Sequence, residues 1–281
     1  MLGKLLKYDL RAVFKGWIIA MITMVISTVS SAISLKIKFA IESKPYSAEL
    51  WFLQAMLTLI ASVGIIVSGI CLFSVFVMLL VRFYKHLFTD EGYLTFTLPV
   101  SRKQIFLSKM LNAIIWIVLS YIIIFLCVNI FYAIVLVESD DIPTNLMSYT
   151  LICVPLLVMA YLERVNLLLI QFIIIANSIL ATVVGYFCIT LGATVVKRGK
   201  LLISIGAYYL LNAVYTLAVQ FMGTVSLTAL LMCFVERLPG QHESNVWFAA
   251  VLITVLFALI TLSAFFYCLT QNIIERKLNL A

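Results

Sequence analysis

The chain has 281 residues, of which 64% are hydrophobic and 11% are charged, and its net charge is +7. A soluble domain is ordinarily about 45–50% apolar and about 25% charged, so this composition excludes one and indicates a polytopic membrane protein. The net charge does not indicate a nucleic-acid partner, because the basic residues collect in short gaps between apolar runs.

Residues 2–15 predict an amphipathic helix at the membrane surface. Leucine and valine side chains share one side at helical spacing, and basic side chains hold the opposite side: Lys4, Lys7, Arg11 and Lys15. Such a helix lies along an anionic inner leaflet and leads into the first span. A secretory signal peptide also has a basic start, but the apolar run 17–35 exceeds its usual h-region of about 7–15 residues.

The first predicted span carries a stripe of hydroxyl side chains. They recur every three or four residues and therefore share one side of the helix: Thr23, Ser27, Ser30 and Ser34. Small hydroxyl residues let helices approach closely and form hydrogen bonds across an interface. The stripe predicts a subunit seam or the wall of a substrate path, and ordinary packing within one subunit is the alternative.

Six apolar runs predict an all-α polytopic membrane protein with six transmembrane helices in a single domain, 1–281. The runs cover about residues 17–35, 51–84, 104–137, 165–195, 201–234 and 245–271. The second run would be roughly 51 Å long as one helix, whereas the hydrocarbon core is about 30 Å thick, so this helix tilts or projects into the cytoplasm. Residues 150–162 are apolar but short and contain Pro155, which favours an interfacial or re-entrant segment.

The charges predict which side each loop faces. When both termini, 82–110 and 197–200 are placed on one side, that side holds fourteen of the 19 Lys and Arg residues. Cytoplasmic loops carry an excess of positive charge. We therefore expect both termini in the cytoplasm.

The fifth predicted span carries a second polar stripe, formed by Tyr208, Asn212 and Tyr215 on one face. Tyrosine often anchors helices at the membrane interface. Asn212 and Tyr215 lie too deep in the span for that role, so this stripe also predicts a subunit seam or a substrate path.

The sequence lacks the motifs of an enzyme or of an ion-coupled carrier. It contains no HExxH, GxSxG or GxxxxGK[ST] motif, and no Asp, Glu, Lys, Arg or His lies deep within the predicted spans. The six cysteines lie in apolar stretches without metal-ligand spacing. We therefore expect no catalytic residue, cofactor or metal in this chain, and energy for uphill transport would come from a partner chain.

The longest polar break, 82–110, carries five basic residues, the acidic pair Asp90 and Glu91, and the chain breakers Gly92 and Pro99. Residues 87–97 predict a short amphipathic helix outside the bilayer, because their apolar side chains are too few to span it and too apolar to lie free in water. One alternative is that the apolar side of this helix lies on the lipid surface. A protein partner is favoured, because the acidic pair would otherwise face anionic lipid.

Within this break, residues 95–109 read TFTLPVSRKQIFLSK and resemble the LPVSR…K signature that follows the second span in permeases of the ABC-2 type exporter family. The likeness in layout covers nearly the whole chain. It implies that 87–97 is a coupling helix that docks on an ATP-binding subunit, with acidic side chains facing basic groups and apolar ones filling a cleft. The residues expected to dock are Phe88, Asp90, Glu91, Gly92, Tyr93, Leu94, Phe96, Leu98 and Pro99.

The resemblance further implies two membrane subunits, expected to be a homodimer, and two ATPase subunits that bind ATP and Mg²⁺. The first, second and fifth spans would lie near the dimer axis, in the inner membrane of a bacterium. The implied cargo is an exported amphipathic or hydrophobic molecule, such as a peptide toxin, an antimicrobial peptide or a lipid-like molecule. Two alternatives are a membrane sensor or scaffold that uses 87–97 to bind a cytoplasmic partner, and an uncoupled channel.

Overall fold

The computed structural model describes residues 2–42, 48–89, 92, 100–136, 164–195, 201–217 and 241–277, and all of these except Thr89, Val100 and Ser101 are helical. The helices are α1 (Leu2–Glu42), α2 (Ala48–Phe88), α3 (Arg102–Leu136), α4 (Arg164–Val195), α5 (Leu201–Leu217) and α6 (Gln241–Lys277). No strand occurs in these ranges. The all-helical class predicted from the sequence is therefore confirmed.

Five helices are long and apolar enough to cross a membrane. Their apolar windows are Gly3–Ile41, Glu49–Phe88, Arg102–Val135, Leu169–Val195 and Ala250–Glu275. Helix α5 is shorter over its described range, and the rest of the predicted fifth span, 218–234, lies outside the described residues. A helix satisfies its backbone hydrogen bonds internally, as the hydrocarbon interior requires. These helices indicate a multi-pass membrane protein.

The first three helices are longer than a bilayer requires. Helices α1 and α2 have 41 residues each and α3 has 35, whereas about 20 residues cross the hydrocarbon core. Helix α1 unites the predicted surface helix 2–15 with the predicted span 17–35 and continues through 36–42, past the predicted end of that span. The continuation has a simple reason, because 36–42 contain neither Gly nor Pro. The segment 150–162 is not among the described residues.

The amphipathic pattern predicted for 2–15 is present in α1. The four basic side chains, Lys4, Lys7, Arg11 and Lys15, are exposed, while Val13 on the apolar side is fully buried. The helix therefore turns an apolar side towards the protein and a basic side outward.

The chain divides into two compact units. Unit 1 covers 1–6, 80–114 and 161–281, and unit 2 covers 7–79 and 115–160. Unit 1 contains the end of α2, the start of α3 and the helices α4, α5 and α6. Unit 2 contains most of α1 and α2 and the rest of α3.

In unit 2, α1 and α2 run antiparallel and touch through small residues. Gly16 lies against Met78, and Gly64, which comes earlier in α2, lies against Ser31, which comes later in α1. A Cβ atom on Gly64 would lie 2.0 Å from Ser31 Oγ and 2.8 Å from the backbone oxygen of Ser27. Only glycine allows this approach, which is the packing that membrane helices use where lipid leaves no hydrophobic driving force between them.

Helix α3 joins unit 2 through indole contacts. Trp17 Nε1 donates a hydrogen bond of 2.8 Å to Ser120 Oγ, and the ring of Trp17 lies 4.7 Å from that of Trp116. All three side chains are buried. A buried indole N–H needs an acceptor, and the hydroxyl of Ser120 supplies it from a neighbouring helix.

We expect Gly64→Ala to weaken the α1–α2 pairing, because the added methyl group would overlap Ser31 and press on the Ser27 carbonyl. Overpacking of this kind costs about 1–3 kcal/mol. Gly69→Ala is the matched control on the same helix, because no atom lies within 4 Å of a Cβ built there. Alanine at that position gains up to about 1 kcal/mol of helix propensity. Thermal unfolding of the purified protein in detergent measures both changes, and a Gly64→Ala variant as stable as the wild type would contradict the close approach.

Candidate functional site

Four aromatic side chains from four helices meet in the core of unit 1. Phe83 in α2 stacks on Tyr186 in α4 with ring centroids 3.9 Å apart, and it meets Phe106 in α3 edge-on at 6.2 Å. Phe106 in turn stacks on Tyr267 in α6 at 5.1 Å. We call these four residues the aromatic cluster. Aromatic pairs of this kind contribute about 0.5–1.5 kcal/mol each beyond the burial of their surface.

The aromatic cluster brings particular helix ends together. Phe83 is five residues from the end of α2, and Phe106 is four residues from the start of α3. Tyr186 and Tyr267 lie nine and ten residues before the ends of α4 and α6. These four helix ends therefore lie at one end of unit 1, which we call the basic end. They are the ends beside 82–110, 197–200 and the C-terminal tail, which the charge pattern predicts to face the cytoplasm.

The chain turns sharply after α2. The N–H of Gly92 donates a hydrogen bond of 2.8 Å to the carbonyl of Thr89. A Cβ atom on Gly92 would lie 2.6 Å from the backbone oxygen of Leu87, whose own side chain is buried. Because this oxygen belongs to the backbone, it cannot move aside as the end of a flexible side chain could. This position therefore requires glycine, and residue 92 is held against the last turn of α2.

Glu275, near the end of α6, holds the start of α3. The guanidinium of Arg102 donates a hydrogen bond of 3.3 Å to the Glu275 backbone oxygen, and the Lys103 ammonium lies 3.5 Å from its carboxylate. Gln271 donates to the same carboxylate at 2.9 Å. The salt bridge is solvent-exposed and contributes less than about 1 kcal/mol. The contact with the end of α6 is also favoured because cations interact well with a helix C-terminus.

Two basic side chains of the 82–110 segment point into unit 1. Lys109, the last residue of the LPVSR…K signature, lies two turns inside α3 and is buried. The Nε atom of Arg82 is also buried, and none of the described residues accepts a hydrogen bond from it. A buried cationic group costs free energy unless it is paired. An acidic group close to the end of α2 would therefore be stabilised by the guanidinium of Arg82.

Of the nine residues expected to dock on an ATPase, the structure describes Phe88 and Gly92. Phe88 is the last residue of α2 and is half-buried, with its ring 6.1 Å from Phe83 and 6.3 Å from Tyr84. Phe88 therefore packs partly on its own helix, and only the rest of its surface is available to a partner. Seven residues lie outside the described ranges: Asp90, Glu91, Tyr93, Leu94, Phe96, Leu98 and Pro99.

The hydroxyl stripe of α1 makes its hydrogen bonds within the helix. Each hydroxyl donates to a backbone oxygen three or four residues earlier: Thr23 to Ile19, Ser27 to Met24, Ser30 to Ser27, and Ser34 to Ser30. Ser27 and Ser34 are buried, whereas Thr23 and Ser30 are exposed. Ser27 lies where α1 meets α2 of the same chain. The stripe thus divides between packing inside the chain and an open surface.

The second polar stripe gains a partner on α4. The hydroxyl of Tyr215 donates a hydrogen bond of 2.7 Å to Asn177 Oδ1. Asn212 is exposed, and Tyr208 and Tyr215 are half-buried. All four residues belong to unit 1. The structure therefore places a polar group from each of two antiparallel helices side by side.

Sequence reasoning missed both the aromatic cluster and Asn177. The signal for Asn177 was a carboxamide inside an otherwise apolar span. The cluster left a weaker signal, because aromatic residues are frequent throughout the spans and nothing in their spacing tells which helices meet. Among the described residues, no group of three His, Cys, Asp or Glu side chains comes together that could hold a metal ion.

Phe83→Ala should destabilise unit 1, because it removes the ring that contacts both Tyr186 and Phe106 and leaves a cavity. Such truncations cost about 3–5 kcal/mol in packed cores, which lowers the Tm by roughly 10 °C. Phe73→Ala is the control on the same helix, because the Phe73 side chain is 65% exposed, and we expect its Tm to stay within about 2 °C of the wild type. Equal melting of the two variants in detergent would argue against a packed cluster.

Comparisons with other proteins assign no family to this chain. No family model, no curated protein and no solved structure matches it.

Proposed function

We propose that this chain is the membrane-spanning subunit of an ATP-driven exporter of the ABC-2 type, in the inner membrane of a bacterium. The observation that supports this most directly is the aromatic cluster at the two ends of residues 89–101. It packs the helices that flank this polar segment, α2 and α3, against α4 and α6. A segment that receives force from a partner must be joined to helices that are firmly packed against the rest of the protein.

The aromatic cluster can transmit a displacement because protein interiors are close-packed and respond to strain by moving as a body. A push on 89–101 reaches α2 at Phe83 and α3 at Phe106. It then reaches α4 and α6 through the rings stacked on these two residues. The Arg102 contact with α6 adds a polar connection. Movement of the segment therefore becomes movement of four helix ends together.

The chemistry of 82–110 suits a protein partner with an apolar cleft and basic groups. Asp90 and Glu91 are acidic residues within a strongly basic stretch. Anionic lipid would repel them, so they favour a protein partner with basic groups on its surface. Aromatic and leucine residues follow them directly along the chain, between 93 and 98. Buried aromatic anchors supply most of the binding energy in protein interfaces.

The energy source we assign to this exporter is a separate ATPase that binds ATP and Mg²⁺, because the sequence carries no phosphate-binding loop of its own. In this mechanism, ATP binding closes two ATPase subunits and pushes residues 87–97. The ends of α2 and α3 then tilt between two discrete arrangements, as in rigid-body switches. One arrangement opens the cargo path inward and the other opens it outward.

The assembly we propose contains two copies of this chain and two ATPases. The cargo is amphipathic or hydrophobic, and we favour a peptide, because the polar stripes of α1 and α5 carry neutral hydroxyl and carboxamide groups. Neutral polar groups along an apolar helix suit a cargo with both characters. The same groups offer no charge to an ion.

The test of docking is the double charge reversal Asp90→Lys, Glu91→Lys in the full chain, co-expressed with the ATP-binding subunit encoded nearest to it. We expect at least a tenfold loss of co-purified ATPase, since removing a buried charge contact costs about 2–5 kcal/mol in binding. ATP hydrolysis by the reconstituted complex should fall in parallel.

Glu49→Lys is the matched control, because it makes the same change of charge at an exposed acidic residue in the first turn of α2, at the opposite end of this helix from the docking segment. It should leave both readouts unchanged. Full association of the ATPase with the double variant would remove the docking role from 87–97 and favour the sensor or scaffold alternative.

A further inference from the structure

Three polar side chains form a small patch on α4 and α5 in unit 1. Tyr215 donates its hydroxyl hydrogen to Asn177 Oδ1. Asn212 precedes Tyr215 by three residues, so the two are neighbours on the surface of α5, about 5–6 Å apart at Cβ. Asn177 and Asn212 are both exposed. We call Asn177, Asn212 and Tyr215 the amide patch.

The amide patch lies far from the basic end of unit 1. Asn177 precedes Tyr186 by nine residues on α4, which is about 14 Å along a helix. Tyr186 stacks on Phe83, which is adjacent in sequence to the charged Arg82. The level of the aromatic cluster is therefore close to the edge of the hydrocarbon core, which is about 30 Å thick. The patch lies near the middle of the membrane.

The patch has hydrogen-bonding capacity that its surroundings do not use. Among the described residues, the Asn177 side chain makes one hydrogen bond, through its oxygen, and its two N–H donors are not engaged. The residues that the structure describes make no hydrogen bond to the side chain of Asn212 either. Exposed carboxamides at this depth cost several kcal/mol each in contact with lipid. A polar occupant removes this cost.

The chemistry of the patch selects a neutral occupant. Residues 169–195 of α4 and all of α5 contain no Asp, Glu, Lys, Arg or His, so a phosphate, a carboxylate or an ammonium group would lack a counter-charge at membrane depth. The patch offers N–H donors together with oxygen acceptors. A peptide bond, with one N–H and one carbonyl, matches this combination.

The surface beside the patch favours a flexible apolar chain over a second helix. Tyr209 and Ile205, which lie one and two turns before Asn212, are large and exposed. Membrane helices that pair with each other do so through small residues. Large apolar side chains around a few polar groups are typical of ligand sites.

We infer that the amide patch binds the backbone amides of a hydrophobic peptide cargo as it crosses the membrane. This inference rests on the proposed export function and names the cargo class at one of its polar stripes. Asn177 is the residue that it adds to the path. Its N–H groups bind the peptide carbonyl, while Tyr215 holds its oxygen and thereby orients the carboxamide.

The test uses the full chain in lipid nanodiscs without any ATPase, and photolabelling with two probes. One is N-acetylated, C-amidated trileucine with a diazirine in one side chain, and the other is the same peptide with every backbone nitrogen methylated. We expect Asn177→Leu and Tyr215→Phe each to reduce labelling by the first probe about tenfold, the effect of losing one hydrogen bond in an apolar site. The methylated probe keeps its carbonyls but has no backbone N–H to donate to the oxygens of Asn212 and Tyr215, so it should label the wild type about tenfold less.

Two variants control for general effects. Asn129→Leu is the matched control, because it removes the same carboxamide from α3, outside the amide patch, where the Asn129 side chain donates to the Phe125 carbonyl of its own helix. It should label like the wild type. Asn177→Gln keeps the carboxamide and should retain part of the labelling that Asn177→Leu loses.

Unchanged labelling in both Asn177→Leu and Tyr215→Phe, or equal labelling by the two probes, would overturn the inference. Labelling that disappears only together with a change from dimer to monomer, seen by light scattering, would also overturn it, because the patch would then be a seam between copies. Co-purification of the ATPase is measured separately on the same variants. Its loss with intact labelling would refute the exporter and leave the peptide site standing.

Discussion

The stacking of Phe83 on Tyr186 is the contact on which unit 1 depends. Helices in a membrane gain little from excluding lipid, so they associate where side chains fit closely or form hydrogen bonds. Here one ring from α2 touches rings of α3 and α4, and α3 passes the contact on to α6. The polar segment between α2 and α3 therefore begins and ends at helices that are packed into the same aromatic cluster. Any role for this segment in receiving force from another protein requires that property.

The two units hold their helices together by different sets of contacts, although unit 2 also contains the ring contact of Trp17 with Trp116. Unit 2 brings α1 and α2 into backbone contact at Gly64, where a side chain would not fit. Unit 1 uses large rings and a charged tie from Arg102 to the end of α6. Small residues give one close register, whereas rings cover a wider area and join more than two helices. The ring contacts of unit 1 lie beside the segment that we propose docks on an ATPase.

Apolar run length predicts the helices well, because crossing a membrane imposes a minimum length and internal backbone hydrogen bonds. It underestimates the length of α1, which continues through 36–42, past the predicted span, because no residue breaks it. Periodicity also identifies faces, so Ser27 and Tyr215 are recognisable as members of polar stripes. It cannot identify the facing helix. The partners of these two residues, Gly64 and Asn177, follow from tertiary packing alone.

The hydroxyls of α1 have a chemical consequence that their positions alone do not suggest. Every hydrogen in the stripe already points at a carbonyl of its own helix. What Thr23 and Ser30 present on the open side is therefore oxygen lone pairs. A passing molecule that brings N–H groups finds weak attraction along this wall, while one whose surface is carboxylate or phosphate finds none. In the exporter that we propose, this side of α1 would favour molecules that donate hydrogen bonds.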